Sequence, residues 1–199
     1  MRGAWNVSHE AALRDDLWIA NPQSPDNADF FRADFDITPE IPQIILYKAV
    51  AGTRRSIARQ LMLQQVHVLA DANAHIMIAV DPLARFSAGG TAAVAQSARP
   101  GWQDGGAGMK AAEALVRWGD PGGIVAPELV ATADNANTRY FTPFGIQAAL
   151  GSTTAIDFDG EAWVDGIGAV LVYVWMDDFA TVPMQFAWQF DFYEERLPS

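Results

Sequence analysis

The densest group of potential ligands is Asp157-Phe158-Asp159-Gly160-Glu161, with Asp165 close behind. Alternating carboxylates around a glycine are the raw material of a calcium loop, because a hard cation takes oxygens converging from a tight turn. The twelve-residue spacing is incomplete, since no acidic residue stands at the closing position. An acidic β-turn with Gly160 at positive φ accounts for Asp157, Asp159 and Glu161 equally well and is the preferred reading. His67 and His75 flank a predicted hairpin turn, which would bring two imidazoles close in space. A β-barrel metal site usually draws on a His-x-His pair and further ligands, and neither is present. The two histidines are therefore read as polar residues on the outer face of strands.

Other chemistries fare no better. Asp177-Asp178 offers the two carboxylates of a glycosidase, but adjacent strand residues point to opposite faces and do not converge on one bond. Gly151-Ser152 lacks the Gly-x-Ser-x-Gly context of a hydrolase nucleophile. No Walker or dinucleotide glycine pattern occurs. The chain has no cysteine, which removes disulfides, thiolate metal sites and cysteine nucleophiles. No catalytic residue, cofactor or metal ligand is assigned, and the chain is not read as an enzyme.

The large aromatic residues carry more information. Trp102 lies in the Gly- and Ala-rich stretch 81–108, outside any strand pattern, and an exposed tryptophan marks a protein interface or a sugar platform. Trp5, Leu17 and Trp18 lie among turn formers in the first forty residues. Such a segment must bury them on its own domain or on a neighbouring subunit, and the sequence leaves both open. Trp5, Leu17, Trp18 and Trp102 are the interface candidates. Trp163, Trp175 and Trp188 sit in or beside strands and are assigned to the core.

The elements that must position these residues are strands. From Met184 to Tyr193 the chain alternates, with Met184, Phe186, Trp188, Phe190 and Phe192 on one side and Gln185, Ala187, Gln189, Asp191 and Tyr193 on the other. Side chains of a strand alternate with period two, so this is a strand with one buried face, the mark of an antiparallel sheet. Further strands are predicted at Gln43–Val50, Ile57–Leu69, Ile76–Val80, Arg139–Phe144, Gln147–Leu150, Thr153–Phe158 and Val170–Met176. The phase change between Leu61/Leu63 and Val66/Val68 predicts a bulge near Gln64-Gln65. Ile57–Leu69 and Ile76–Val80 are expected to pair as a hairpin. Residues 81–108 read as an extended loop with an edge strand through Thr91–Ala95, and Met109–Trp118 suits helix and strand equally. A short helix capped by Asn6 or Ser8 is predicted to run toward Trp18. The expected architecture is all-β: an antiparallel, jelly-roll-like β-sandwich over 41–199, preceded by an N-terminal arm over 1–40. The arm is expected to serve association, so that its removal weakens assembly and leaves the sandwich folded.

Composition narrows the partners. The 199 residues, half of them hydrophobic, suffice for one substantial core. The net charge is −11, with Arg54-Arg55 the sole basic cluster, which argues against nucleic acid as a partner. No run approaches the roughly 20 apolar residues of a membrane helix, and no apolar segment follows Arg2, so neither a membrane span nor a secretory signal is expected.

The strand Gly168-Ala169-Val170-Leu171-Val172-Tyr173-Val174-Trp175, a short loop and a closing strand ending Phe190-Asp191-Phe192-Tyr193 resemble the paired final strands of jelly-roll virion proteins. Phe86-Ser87-Ala88-Gly89-Gly90-Thr91, after the Asp81-Pro82 turn, is similar to a Gly-Gly-Thr segment in tailed-phage structural proteins. This resemblance covers residues 43 to 199. It implies a virion structural protein, made in the host cytoplasm and assembled as a homo-oligomer, a trimer being favoured, on a major capsid protein or another virion protein. The N-terminus lacks the basic arm of genome-lining shells, which points to a capsid decoration or cement protein. A carbohydrate- or receptor-binding jelly-roll module is the alternative.

Overall fold

A computed structural model describes residues 17–22, 30–35, 41–67, 73–82, 86–93, 95–98, 111–125, 139–140, 144–147, 153–158, 162–176 and 184–197. These residues form strands β1 (Leu17–Ala20), β2 (Phe31–Arg32), β3 (Ile44–Lys48), β4 (Arg54–His67) and β5 (Asn73–Asp81). The next five are β6 (Ala88–Gly89), β7 (Thr91–Ala93), β8 (Ala95–Ser97), β9 (Leu115–Trp118) and β10 (Ile124–Val125). The last six are β11 (Arg139–Tyr140), β12 (Phe144–Gln147), β13 (Thr153–Asp157), β14 (Trp163–Asp165), β15 (Gly168–Met176) and β16 (Gln185–Arg196). No helix occurs among the described residues, so none there is long and apolar enough to cross a membrane.

Two seven-stranded sheets dominate. Sheet I runs β13-β4-β16-β1-β8, with β14 also on β4 and β2 also on β16. Sheet II runs β11-β5-β15-β3-β9-β7, with β12 also on β5, and β6 pairs β10 in a separate ribbon. Every strand pairing is antiparallel. The result is an all-β, sandwich-like fold.

One core is shared by both sheets. The inward phase of β16 supplies Phe186, Trp188, Phe190 and Phe192, all buried as the alternation predicts, and these pack in one cluster with Ile44, Leu46, Ile76, Ile78, Val170, Val172 and Val174 of sheet II. Trp118 of sheet II meets Trp188 of sheet I with ring centroids 6.1 Å apart. β15 does not alternate because sheet II is covered on both faces. Ile45, Tyr47, Ala79, Leu171 and Tyr173 form a second buried cluster with Ile124, and Phe86 lies 4.6 Å from the Tyr47 ring. A strand buried on both faces reads as a continuous apolar run.

The predicted bulge is present: Gln185 pairs His67 and Phe186 pairs Gln65, so Val66 is the extra residue. A second register shift, absent from the sequence reading, falls where Asp191 pairs Gln60 and Phe192 pairs Ala58, leaving Arg59 over.

Several expectations are corrected. β4 and β5 do not form a hairpin: β4 pairs β13, β14 and β16, whereas β5 pairs β11, β12 and β15. β4 ends at His67 in sheet I and β5 begins at Asn73 in sheet II, so Asn73 and Ala74, read as turn residues, belong to a strand. β15 and β16, read as paired final strands, likewise lie in different sheets. Leu17 and Trp18 are strand rather than helix residues, held by β16 on one side and β8 on the other. The rest of the predicted N-terminal helix lies outside the described residues. The open stretch Met109–Trp118 resolves to strand over Leu115–Trp118. The region read as a loop carries β6, β7 and β8, with β7 at the edge of sheet II, as foreseen for Thr91, and β8 at the edge of sheet I. Gly89 and Gly90 have φ of 86° and 68°, and a Cβ on Gly89 would collide with the Gly123 carbonyl oxygen. The Gly-Gly pair thus lets two backbones touch where β6 meets β10.

Candidate functional site

Two polar constellations stand out, one inside the fold and one on its surface. The inner one gathers Lys48 at the end of β3, Arg54 and Ser56 at the start of β4, Glu113 just before β9 and Glu194 near the end of β16. The Glu194 side chain is 0% exposed. It accepts hydrogen bonds from the backbone N–H of Glu113 at 2.9 Å and of Ala114 at 2.8 Å, and from Ser56 Oγ at 3.1 Å. Arg54 Nη1 lies 3.5 Å from its other oxygen. Glu113 accepts from Lys48 Nζ at 2.9 Å, from Thr53 Oγ1 at 2.9 Å and from the backbone N–H groups of Thr53 and Arg54, each at 3.2 Å. The Lys48 side chain, 1% exposed, also donates to the Arg54 carbonyl at 2.5 Å.

Two cations and two carboxylates thus balance, and the fully enclosed Lys48 and Glu194 each have an opposite charge, the condition under which buried charges are tolerated. Burial on its own would raise the Glu113 carboxyl pKa. The hydrogen bonds from Lys48 and Thr53, with the Lys48 charge, outweigh that and hold it at about 2. Gly52 completes the fit, since a Cβ there would occupy the place of the Glu113 carboxylate. Each carboxylate is engaged by several donors belonging to the fold. That arrangement clasps the β3–β4 turn, the approach to β9 and the end of β16 together.

The outer constellation lies on the solvent side of sheet I. Arg55 makes a two-pronged pair with Asp165, through Nε to Oδ1 and through Nη2 to Oδ2 at 2.9 Å, and reaches Glu195 at 3.4 Å. Its guanidinium sits 5.8 Å from the Trp163 ring centre. The hydrogen bond to Asp165 raises the Arg55 pKa despite partial desolvation. Farther along, Asp191 accepts from Gln189 Nε2 at 2.9 Å, with Arg59 Nη1 at 3.5 Å. Its side chain is only 8% exposed, and desolvation raises its carboxyl pKa against the pull of Gln189 and Arg59.

The residues singled out from sequence are scattered. Trp18 is 3% exposed in the shared core, and Leu17, on the opposite side of β1, is also buried within the chain. Trp5 and Trp102 lie outside the described residues, as do Asp159, Glu161, Asp177 and Asp178. Asp157 ends β13 exposed and accepts from Gln60 Nε2 at 2.6 Å, while Asp165 turns to Arg55. His67 and His75 belong to different sheets. His75 is stacked on Trp175 at 5.3 Å. Among the described residues, no three His, Cys, Asp or Glu side chains stand where they could hold a metal ion. Of the assigned core tryptophans, Trp188 is buried, and Trp163 and Trp175 are half-buried.

The inner network was missed by sequence reading, yet one signal for it existed. Glu194 continues the inward phase of Phe190 and Phe192, and a carboxylate on a core phase demands partners. No family model matches the chain, and no curated protein matches it.

Proposed function

We propose that the chain is a jelly-roll structural protein of a virion, a capsid decoration subunit that acts through contacts with other protein subunits. The strand order carries the reading. β16 lies between β1 and β4, and β15 lies between β3 and β5. The two last strands are thus inserted between earlier ones, one in each sheet, as in the double Greek key of a jelly roll. β13 and β14 lie beyond β4, and β11 and β12 beyond β5, an order in each sheet that supports the jelly-roll reading. Jelly rolls build viral shells as well as lectin domains, so the choice of role rests on analogy at the level of fold.

Two observations favour a structural role. The Glu113 and Glu194 carboxylates are taken up by donors of the fold itself. The net charge of −11 suits a protein on the outside of a particle, away from the genome. In this reading the partners are further copies of the chain, arranged as a trimer, and a major capsid protein beneath them.

Light scattering coupled to size exclusion, with electron microscopy of the purified protein, tests the proposal. A closed oligomer of fixed size is expected. A protein that stays monomeric at the highest attainable concentration, and does not bind phage heads lacking their decoration protein, overturns it.

A further inference from the structure

The solvent face of sheet I carries an organised polar field that neither the core nor the charge clasp uses. Facing outward, Gln64 stands opposite Ala187, Met62 opposite Gln189, and Gln60 opposite Asp191. Neighbouring strands are about 4.8 Å apart and same-face residues along a strand about 6.8 Å apart, so these groups form a two-dimensional lattice. Water asks only that such a face be polar, and charged side chains would satisfy it. Gln60, Gln64 and Gln189 supply three amides to this field, beside Met62, Ala187 and the Asp191 and Asp157 carboxylates.

The field is also held in place. Asp191 is nearly enclosed although it points away from the core, fixed by Gln189 and Arg59. Arg59 is the extra residue of a β-bulge in the longest strand of the sheet. Bulges re-aim side chains and recur beside functional sites, and this one brings a guanidinium to the carboxylate it neutralises. Gln60 is tied to Asp157. At one end of the field Tyr193 and Trp163 stand on either side of Ile57, both half-buried.

We propose that this face binds a neutral glycan. An amide offers donor and acceptor together and so matches vicinal hydroxyls without charge. Aromatic rings at the end of the field offer apolar platforms for the C–H faces of sugar rings. Arg59 offsets Asp191 and leaves the Asp157 carboxylate at the edge of the field, so nothing there favours an anion, and the net charge of −11 repels polyanions. A polyol chain without charge fits all three conditions. This goes beyond the structural role, since it gives a shell protein a means of attachment to carbohydrate.

Affinity electrophoresis of the full chain tests it, in native gels cast with dextran, laminarin, xylan or galactomannan, and with alginate as an anionic counter-probe. Retardation in at least one neutral gel is expected. The double substitution Gln64→Ala and Gln189→Ala should weaken that binding about tenfold or more, while Leu115→Ser, on the other sheet, leaves it unchanged. Thermal melts by circular dichroism confirm that the variants are folded, and Gln64→Ala alone serves if the double variant is not. Unretarded migration in all four neutral gels, retardation by alginate only, or equal binding by the variants would overturn the proposal.

Discussion

Glu194 and Lys48 are charged side chains where the strand pattern asks for apolar ones, and the structure resolves each by a partner. Removing one member strands the others. Glu194→Ala leaves the Glu113 and Ala114 N–H groups without their acceptor and removes the carboxylate facing Arg54, and a loss of about 3–5 kcal/mol is expected in urea unfolding. Glu113 adds a pH signature. Its folded carboxyl titrates at about 2 against an ordinary value of 4.5, so its stabilisation is complete above the ordinary value and is lost as pH falls toward about 2. The stability gap between the native chain and Glu113→Gln should therefore close across that interval. Asp191 has the opposite sign. Its raised pKa means that the folded state disfavours the ionised form, so its contribution falls as pH rises through the carboxylate range. Unfolding curves for Asp191→Asn should show this variant gaining on the native chain between acid and neutral pH.

At the scale of elements, β16 organises sheet I. It pairs β4 along one side and β1 and β2 along the other. Trp188 sits in the middle of its buried face, and Trp188→Ala should cost about 3–5 kcal/mol by leaving a cavity between the sheets. The same pairing revises the view of the first forty residues as a detachable arm. A chain starting near Pro39 lacks β1 and β2, which exposes one edge of β16 and uncovers Phe190 and Phe192. Circular dichroism and urea titration of that truncated chain should show a large loss of stability, rather than an intact sandwich that merely fails to associate. At the β6–β10 contact, Gly89→Ala forces a side chain into the Gly123 carbonyl at a positive φ. It should lower stability by more than about 1 kcal/mol and raise protease sensitivity within 86–125, which limited proteolysis reads directly.

For the whole molecule, the charge clasp and the shared core act on the same pair of sheets. The core joins them through apolar packing across the middle, and the clasp joins β3, β4, the approach to β9 and the end of β16. The two regions are distinct in character: one is insensitive to pH and the other is not. Acid should therefore loosen the clasp before it dissolves the core, giving an early change at the β3–β4 turn in hydrogen exchange near the low end of the carboxylate range. A uniform loss of protection across both sheets at the same pH would count against that division.

Much of the local structure was legible in the residues themselves. Period-two alternation fixed β16 and its buried face, because a strand half in water must alternate. The phase slip after Leu63 located a bulge, because one extra residue inverts every side chain beyond it. Glu194 was legible in principle, as a carboxylate on a core phase. Pairing was not legible. Turn signals at 71–74 suit a hairpin, and only the packed sheets separate β4 from β5. Trp18 could bury itself on its own chain or on a neighbour, and hydrophobicity alone is indifferent to which. The contacts that matter most for the clasp join residues as far apart as Ser56 and Glu194 or Lys48 and Glu113, and no local pattern encodes such distances. The tertiary structure decided them, because a buried charge is stable only where the fold delivers its partner.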